Sequence, residues 1–281
     1  MELIDLARIP LPEIKTVSDR ISYVPATLRP LSSDIGIIKG DSKIYVYDTG
    51  STLPALKLLQ ELPDDKAFII SHFHGDHTWW LSDHKHGEHG VADDDNISTS
   101  YTRPSFEKLY VSALTSKYVA KHSPEKSFDR TGLEDDCSCD IPVNADACPE
   151  AQGTETTDTE RIVNAAFSGS TVVVQSPFVI EDGVRLEILP LPCTHCKGSL
   201  ALSIDDTYCF VGDATYPNKV NNVTFYNAQL LQKEIEVLEA IKADNLLLSH
   251  DSKFVRPKKA VLRQLKATYD KWDKTDSLIR L

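Results

Sequence analysis

The sequence predicts an α/β protein of layered sheets and helices. Strand runs followed by helical runs occur twice along its 281 residues, polar ligand-type residues stand at strand ends in both halves, and 41% of the residues are hydrophobic, enough to bury a full core. In the first run, Ile35, Ile37 and Ile38, the turn signal Gly40-Asp41, and Ile44 to Tyr47 read as a hairpin. Asp48-Thr49-Gly50 follows, then a helix over Leu53 to Leu62 with Leu53, Leu56, Leu59 and Leu62 on one face. Ala67 to Ile70 is a buried-type strand, and Lys108 to Ser112 with Leu114 to Lys121 forms a second strand-helix pair. In the second run, strands are expected at Thr171 to Val174, Val184 to Leu189, Leu200 to Ile204 and Tyr208 to Val211. A long helix at Phe225 to Ile241, a short strand at Asn245 to Ser249 and a proline-started basic helix over Pro257 to Trp272 complete the chain.

One domain, residues 1–281, is expected, with loop-rich insertions at about 83–104 and 122–170. Between His122 and Glu160 eleven acidic residues face only Lys126 and Arg130, a composition that cannot bury much apolar area. The whole chain carries a formal charge of −12, which opposes a nucleic-acid partner, since phosphate backbones demand clustered Lys and Arg. Neither an apolar run of spanning length nor a basic, apolar leader is present, so the expectation is a soluble cytoplasmic protein that acts on a small molecule away from membranes. Six cysteines are too few to scaffold a chain of this length.

The chemistry is concentrated in Ser71-His72-Phe73-His74-Gly75-Asp76-His77, directly after the strand at Ala67. Four ligand-type residues in six positions allow His72 and His74 to converge on one metal ion while Asp76 and His77 turn toward a second. A metal pair needs further ligands, ideally with a bridging carboxylate. His195 just before a strand, and Asp213 and His250 just after strands, are suitable candidates.

With Asp48 in Asp-Thr-Gly, the His72-x-His74-x-Asp76-His77 loop, His195 followed by Gly198-Ser199, Asp213 after Gly212, and His250, the sequence resembles the metallo-β-lactamase superfamily of hydrolases from about Ser33 to Asp251. The resemblance implies a four-layer αββα sandwich with two divalent metals at one edge. His72, His74 and His195 would hold the first, Asp76, His77 and His250 the second, Asp213 would bridge them, and Asp48 would orient a ligand from behind. Zinc is the expected metal, and iron or manganese suits the same donors. Metal-bound hydroxide would attack a carbonyl carbon, with Asp76 orienting it and accepting its proton.

Within the superfamily, Asp213-Ala214-Thr215-Tyr216 is similar to the Asp-Ala-x-Tyr of acyl-homoserine lactonases, which implies an oxyanion-donor role for Tyr216 and a lactone, ester or thioester as substrate. A β-lactamase is disfavoured by Asp213 and the lack of an export signal. The 31 residues after His250 are fewer than a glyoxalase II helical domain needs, His74 replaces the Glu of flavodiiron proteins, and the acidic charge opposes the tRNA nucleases. A phosphodiesterase or nuclease, and a non-catalytic metal-binding scaffold, are the alternatives. Thr78-Trp79-Trp80 departs from the usual Gly-Gly pair, and Trp79 and Trp80 are candidates for an apolar substrate wall. Cys193-x-x-Cys196 lacks a thioredoxin-like context. His84, His86 and His89 with Cys137, Cys139 and Cys148 match no standard zinc spacing and read as solvated loops and free thiols, with an extra metal as the alternative.

Overall fold

A computed structural model describes residues 6–81, 103–121 and 169–281 of the chain. In its first half lie β1 (Lys15–Thr16), β2 (Ile21–Val24), the small hairpin β3 (Thr27–Leu28) and β4 (Leu31–Ser32), β5 (Ile35–Lys39), β6 (Ile44–Tyr47), β7 (Ala67–Ile69), β8 (Lys108–Val111) and β9 (Ser170–Val173). One sheet takes the order β1-β2-β5-β6-β7-β8-β9, antiparallel through β6 and parallel from β6 to β9. The second half contributes β10 (Phe178–Glu181), β11 (Arg185–Pro190), β12 (Leu200–Ile204), β13 (Tyr208–Gly212), β14 (Asn218–Val220), β15 (Val223–Asn227), β16 (Asn245–Leu248), β17 (Val255–Pro257) and β18 (Leu278–Arg280). Its main sheet runs β10-β11-β12-β13-β16-β17, with β13 and β16 parallel, while β14, β15 and β18 form a separate small sheet.

Alternation of side chains along the strands sorts the apolar residues into three cores. Tyr45, Tyr47, Ala67 and Ile69 of the first sheet meet Leu200, Leu202, Phe210 and Leu247 of the second, filling the space between the sheets. The intervening residues Val46 and Phe68 face outward against α1 (Leu53–Glu61). On the opposite outer face, Ala201, Cys209, Val211, Leu246 and Leu248 pack against α4 (Ala228–Ala240) and α5 (Lys258–Tyr269). The remaining helices among the described residues are α2 (Gly75–Thr78), with a 3-10 turn at Trp79–Leu81, α3 (Ala113–Lys121) and a 3-10 turn at Leu6–Arg8. The layers are therefore αββα, as the resemblance implied. Each buried strand is apolar on both faces because each faces a core on either side.

Several sequence expectations need adjustment. The helix expected from Phe225 begins only at Ala228, because Val223–Asn227 pairs with Leu278–Arg280 and Asn227 caps the helix by accepting the Leu230 N–H at 3.0 Å. The second insertion closes at Gly169, since Ser170 is already paired with Lys108. Its interior, most of the first insertion, and His84, His86, His89, Cys137, Cys139 and Cys148 lie outside the described residues.

Candidate metal centre

The parallel strands aim their carboxyl ends at one edge of the sandwich. Asp48 follows β6, His72 follows β7 after Ile70 and Ser71, Asp213 follows β13, and His250 follows β16 after Ser249; the loop before β12 returns His195 to the same edge. Asp48 and His250 adopt left-handed backbone, φ 63° and 58°, which turns each chain sharply out of its strand.

Two groups of donors result. In the first, His74 Nδ1 lies 2.9 Å from His72 Nε2 and 3.2 Å from His195 Nε2. Tetrahedral coordination at zinc-nitrogen lengths places donors about 3.3 Å apart, close to these two separations, and all three donor atoms lie within 4.8 Å of one another. In the second group His250 Nε2 is 3.0 Å and His77 Nε2 3.5 Å from Asp76 Oδ2. Asp213 Oδ2 stands between them, 3.4 Å from His195, 3.6 Å from His77 and 3.8 Å from His250. A single carboxylate oxygen thus addresses imidazoles of both groups.

Behind the donors, Asp48 organises two ligands. Its carboxylate accepts the Ser71 N–H and the Ser71 hydroxyl, both at 2.8 Å, and the His77 Nδ1–H at 2.8 Å. With the Ser71 proton directed to Asp48, His72 Nδ1 at 2.9 Å is the donor to Ser71 Oγ, which leaves Nε2 of both His72 and His77 facing the centre. His77 Nε2 is buried and without a hydrogen-bond partner among the described residues, and so is Asp213 Oδ1. Orphaned donors at a cluster of imidazoles and carboxylates fit divalent metal ions.

The electrostatics of the two groups differ. Burial, with like charges beside it, holds His72 well below the ordinary histidine range, and burial with the adjacent His195 lowers His74 to about 4. Burial lowers His195 as well. In the second group, burial opposes the charge on His77, but Asp76, Asp48 and Asp213 together raise it well above the ordinary value. The same contest raises His250, through its bond to Asp76 and the charge of Asp213, and lowers Asp76 through His77 and His250.

All seven expected donors come together at this edge. Trp79 and Trp80 do not line it: they are 5% and 2% exposed and pack with Leu56, Leu59 and Phe68, because the 3-10 turn after α2 directs them behind the metal loop into the helix-side core. Tyr216 is not a free oxyanion donor, since its hydroxyl donates to the Ser249 carbonyl at 2.7 Å. Cys193 is a buried thiol pushed up to about 12 by its burial and the neighbouring Glu234, which suits packing and not redox exchange. Sequence reasoning missed Ser71 and Asp34. Ser71 was visible as a hydroxyl inside the histidine loop, whereas nothing local marks Asp34, whose carboxylate accepts the His250 N–H at 3.0 Å.

A family profile described as Lactamase_B, metallo-beta-lactamase superfamily, matches residues 28–85, the stretch that carries Asp48, His72, His74, Asp76 and His77. No curated protein sequence matches. Among solved structures, the chain is similar to a metallo-beta-lactamase from Pontibacter korlensis, with 14% identity, TM-score 0.50, and coverage of 90% of this chain and 97% of that one. A variant of the flavo di-iron protein from Thermotoga maritima gives 12% identity and TM-score 0.52, covering 95% of this chain and 64% of that one. The sec-alkylsulfatase Pisa1 from Pseudomonas sp. gives 16% identity and TM-score 0.51, covering 92% of this chain and only 42% of the sulfatase. These likenesses are of fold: the chain has a metallo-β-lactamase-like architecture.

Proposed function

We propose that this protein is a hydrolase of the metallo-β-lactamase superfamily that holds two divalent metal ions, zinc first among them, and acts on a small lactone, ester or thioester. The observation that carries this reading is the position of Asp213 Oδ2 between an all-imidazole group and a carboxylate-bearing group. A metal pair in that position supplies Lewis acidity and brings the pKa of bound water down from 15.7 to about 7.

The protein's own residues do the rest. His72, His74 and His195 would hold one ion and Asp76, His77 and His250 the other, with Asp213 as the carboxylate within reach of both groups. Asp76 also accepts a hydrogen bond from the attacking water and orients it toward the carbonyl carbon; its proton leaves with the alkoxide or thiolate as the carbonyl-to-leaving-group bond breaks. Asp48 and Ser71 fix the tautomers of His72 and His77, keeping Nε2 of each directed at the centre. The chain's negative charge favours a small substrate over a polyanion. No described helix is long and apolar enough to cross a membrane.

The test is turnover of a panel of lactones, esters, thioesters, a β-lactam and a phosphodiester, each with and without chelator. Chelator-sensitive cleavage confined to carboxylic acyl substrates is the expected result. Preferred cleavage of the phosphodiester overturns the acyl assignment, and metal binding without any turnover supports a scaffold.

A further inference from the structure

His250 is the one donor that combines left-handed backbone, φ 58°, with a place in the metal centre. A residue with a β-carbon rarely adopts that conformation unaided, so neighbouring contacts have to hold it. Ser249 N–H donates to the Gly212 carbonyl at 3.3 Å, and the Ser249 carbonyl accepts the Tyr216 hydroxyl at 2.7 Å. The remaining groups meet Asp34. His250 N–H donates to Asp34 Oδ2 at 3.0 Å, the Ser249 hydroxyl lies 3.4 Å from the same oxygen, and Asp34 N–H donates to Ser249 Oγ at 3.2 Å.

Asp34 belongs to the opposite half of the fold. It immediately precedes β5 in the first sheet, stands 216 positions from His250, and is buried. Its other oxygen accepts the Ala26 N–H at 3.0 Å, so the carboxylate is anchored before it reaches across the sandwich. Among the described residues no hydrogen bond joins Asp34 to His72, His74 or His195.

We propose that Asp34 is a positioning residue that sets the metal affinity of the Asp76, His77 and His250 group alone, by clamping the left-handed turn that aims His250 at Asp76. The inference rests on the two-metal reading above. A buried carboxylate accepting two backbone N–H groups fixes a turn more rigidly than a neutral acceptor does. Outer partners of metal ligands typically contribute about 10- to 100-fold to metal affinity. The specific content is selectivity: one pocket should feel the loss and the other should not.

The experiment is titration of the metal-free full-length protein with cobalt(II), followed by the visible absorption of the bound ion and by calorimetry. Wild-type protein should take up two equivalents. Asp34→Ala should keep the first step and weaken the second by about 10- to 100-fold. In a His250→Ala background, where the second step is lost, the same substitution should leave the first step and the total cobalt taken up unchanged. Equal weakening of both steps, or no change in either, overturns the proposal. If Asp34→Ala does not fold, Asp34→Asn and Ser249→Ala make the same comparison: selective loss in the second step supports the clamp and parallel loss refutes it. A wild-type protein that binds fewer than two equivalents overturns the two-metal reading and this inference with it, whereas two unchanged steps in the variants overturn this inference alone.

Discussion

The two donor groups lie side by side yet are built on opposite principles. His72, His74 and His195 are crowded imidazoles that burial and mutual repulsion keep neutral, so this pocket is ready for a cation without first losing protons. Asp76, His77 and His250 form an ion-paired network in which carboxylates hold protons on the imidazoles. An all-imidazole group and a carboxylate-bearing group thus make one pocket in which protons would compete weakly with a metal and another in which they would compete strongly. The lesson is that the affinities of a paired site can be set separately by where the carboxylates stand.

The largest expected effect comes from the residue that belongs to both groups. Asp213→Ala should reduce chelator-sensitive turnover by more than about 100-fold and lower the content of both metals, measured by elemental analysis alongside steady-state kinetics. Retention of both ions would remove Asp213 from the bridging position.

Next in size, His195→Ala and His250→Ala should separate the pockets. The first should abolish the tighter cobalt step and the second the weaker one, each by more than about 100-fold in affinity. Matching losses in both variants would mean that the pockets behave as one site.

Proton competition sharpens the contrast further. A histidine must shed its proton to bind metal, so affinity falls as pH drops below the pKa of the metal-free group. His77 and His250 lie above the ordinary 6.5, whereas His74 lies at about 4 and His72 and His195 lie below 6.5. Dialysis at stepwise lower pH should therefore release the equivalent held by Asp76, His77 and His250 first and retain the other to lower pH. Simultaneous release would contradict the difference in electrostatics.

The smallest effect belongs to Tyr216. Tyr216→Phe removes one hydrogen bond to the Ser249 carbonyl, worth about 1 kcal/mol, so turnover should fall by less than about 10-fold. A loss confined to kcat and as large as about 100-fold would restore the oxyanion-donor role that its hydrogen bond argues against.

Much of this site was legible because its donors cluster in sequence or stand at strand ends. Four of them occupy six consecutive positions after an apolar strand, and Asp213 and His250 each follow a strand that reads as a short continuous apolar run. The αββα layering was legible only through the family resemblance, since strand patterns do not reveal which sheet a strand joins. Trp79 and Trp80 were misplaced because their direction depends on a short turn and not on their chemistry. The strand at Val223–Asn227 escaped because its partner, Leu278–Arg280, is remote in sequence and supplies the pairing that decides strand over helix. Asp34 escaped for the same reason, its role existing only when the two halves of the chain meet.

The most direct measurement is the metal content per chain of protein purified in metal-replete buffer at neutral pH and freed of loosely bound ions. Two divalent ions per chain are expected. One ion or none, in folded protein carrying all seven donors, would contradict the two-metal reading.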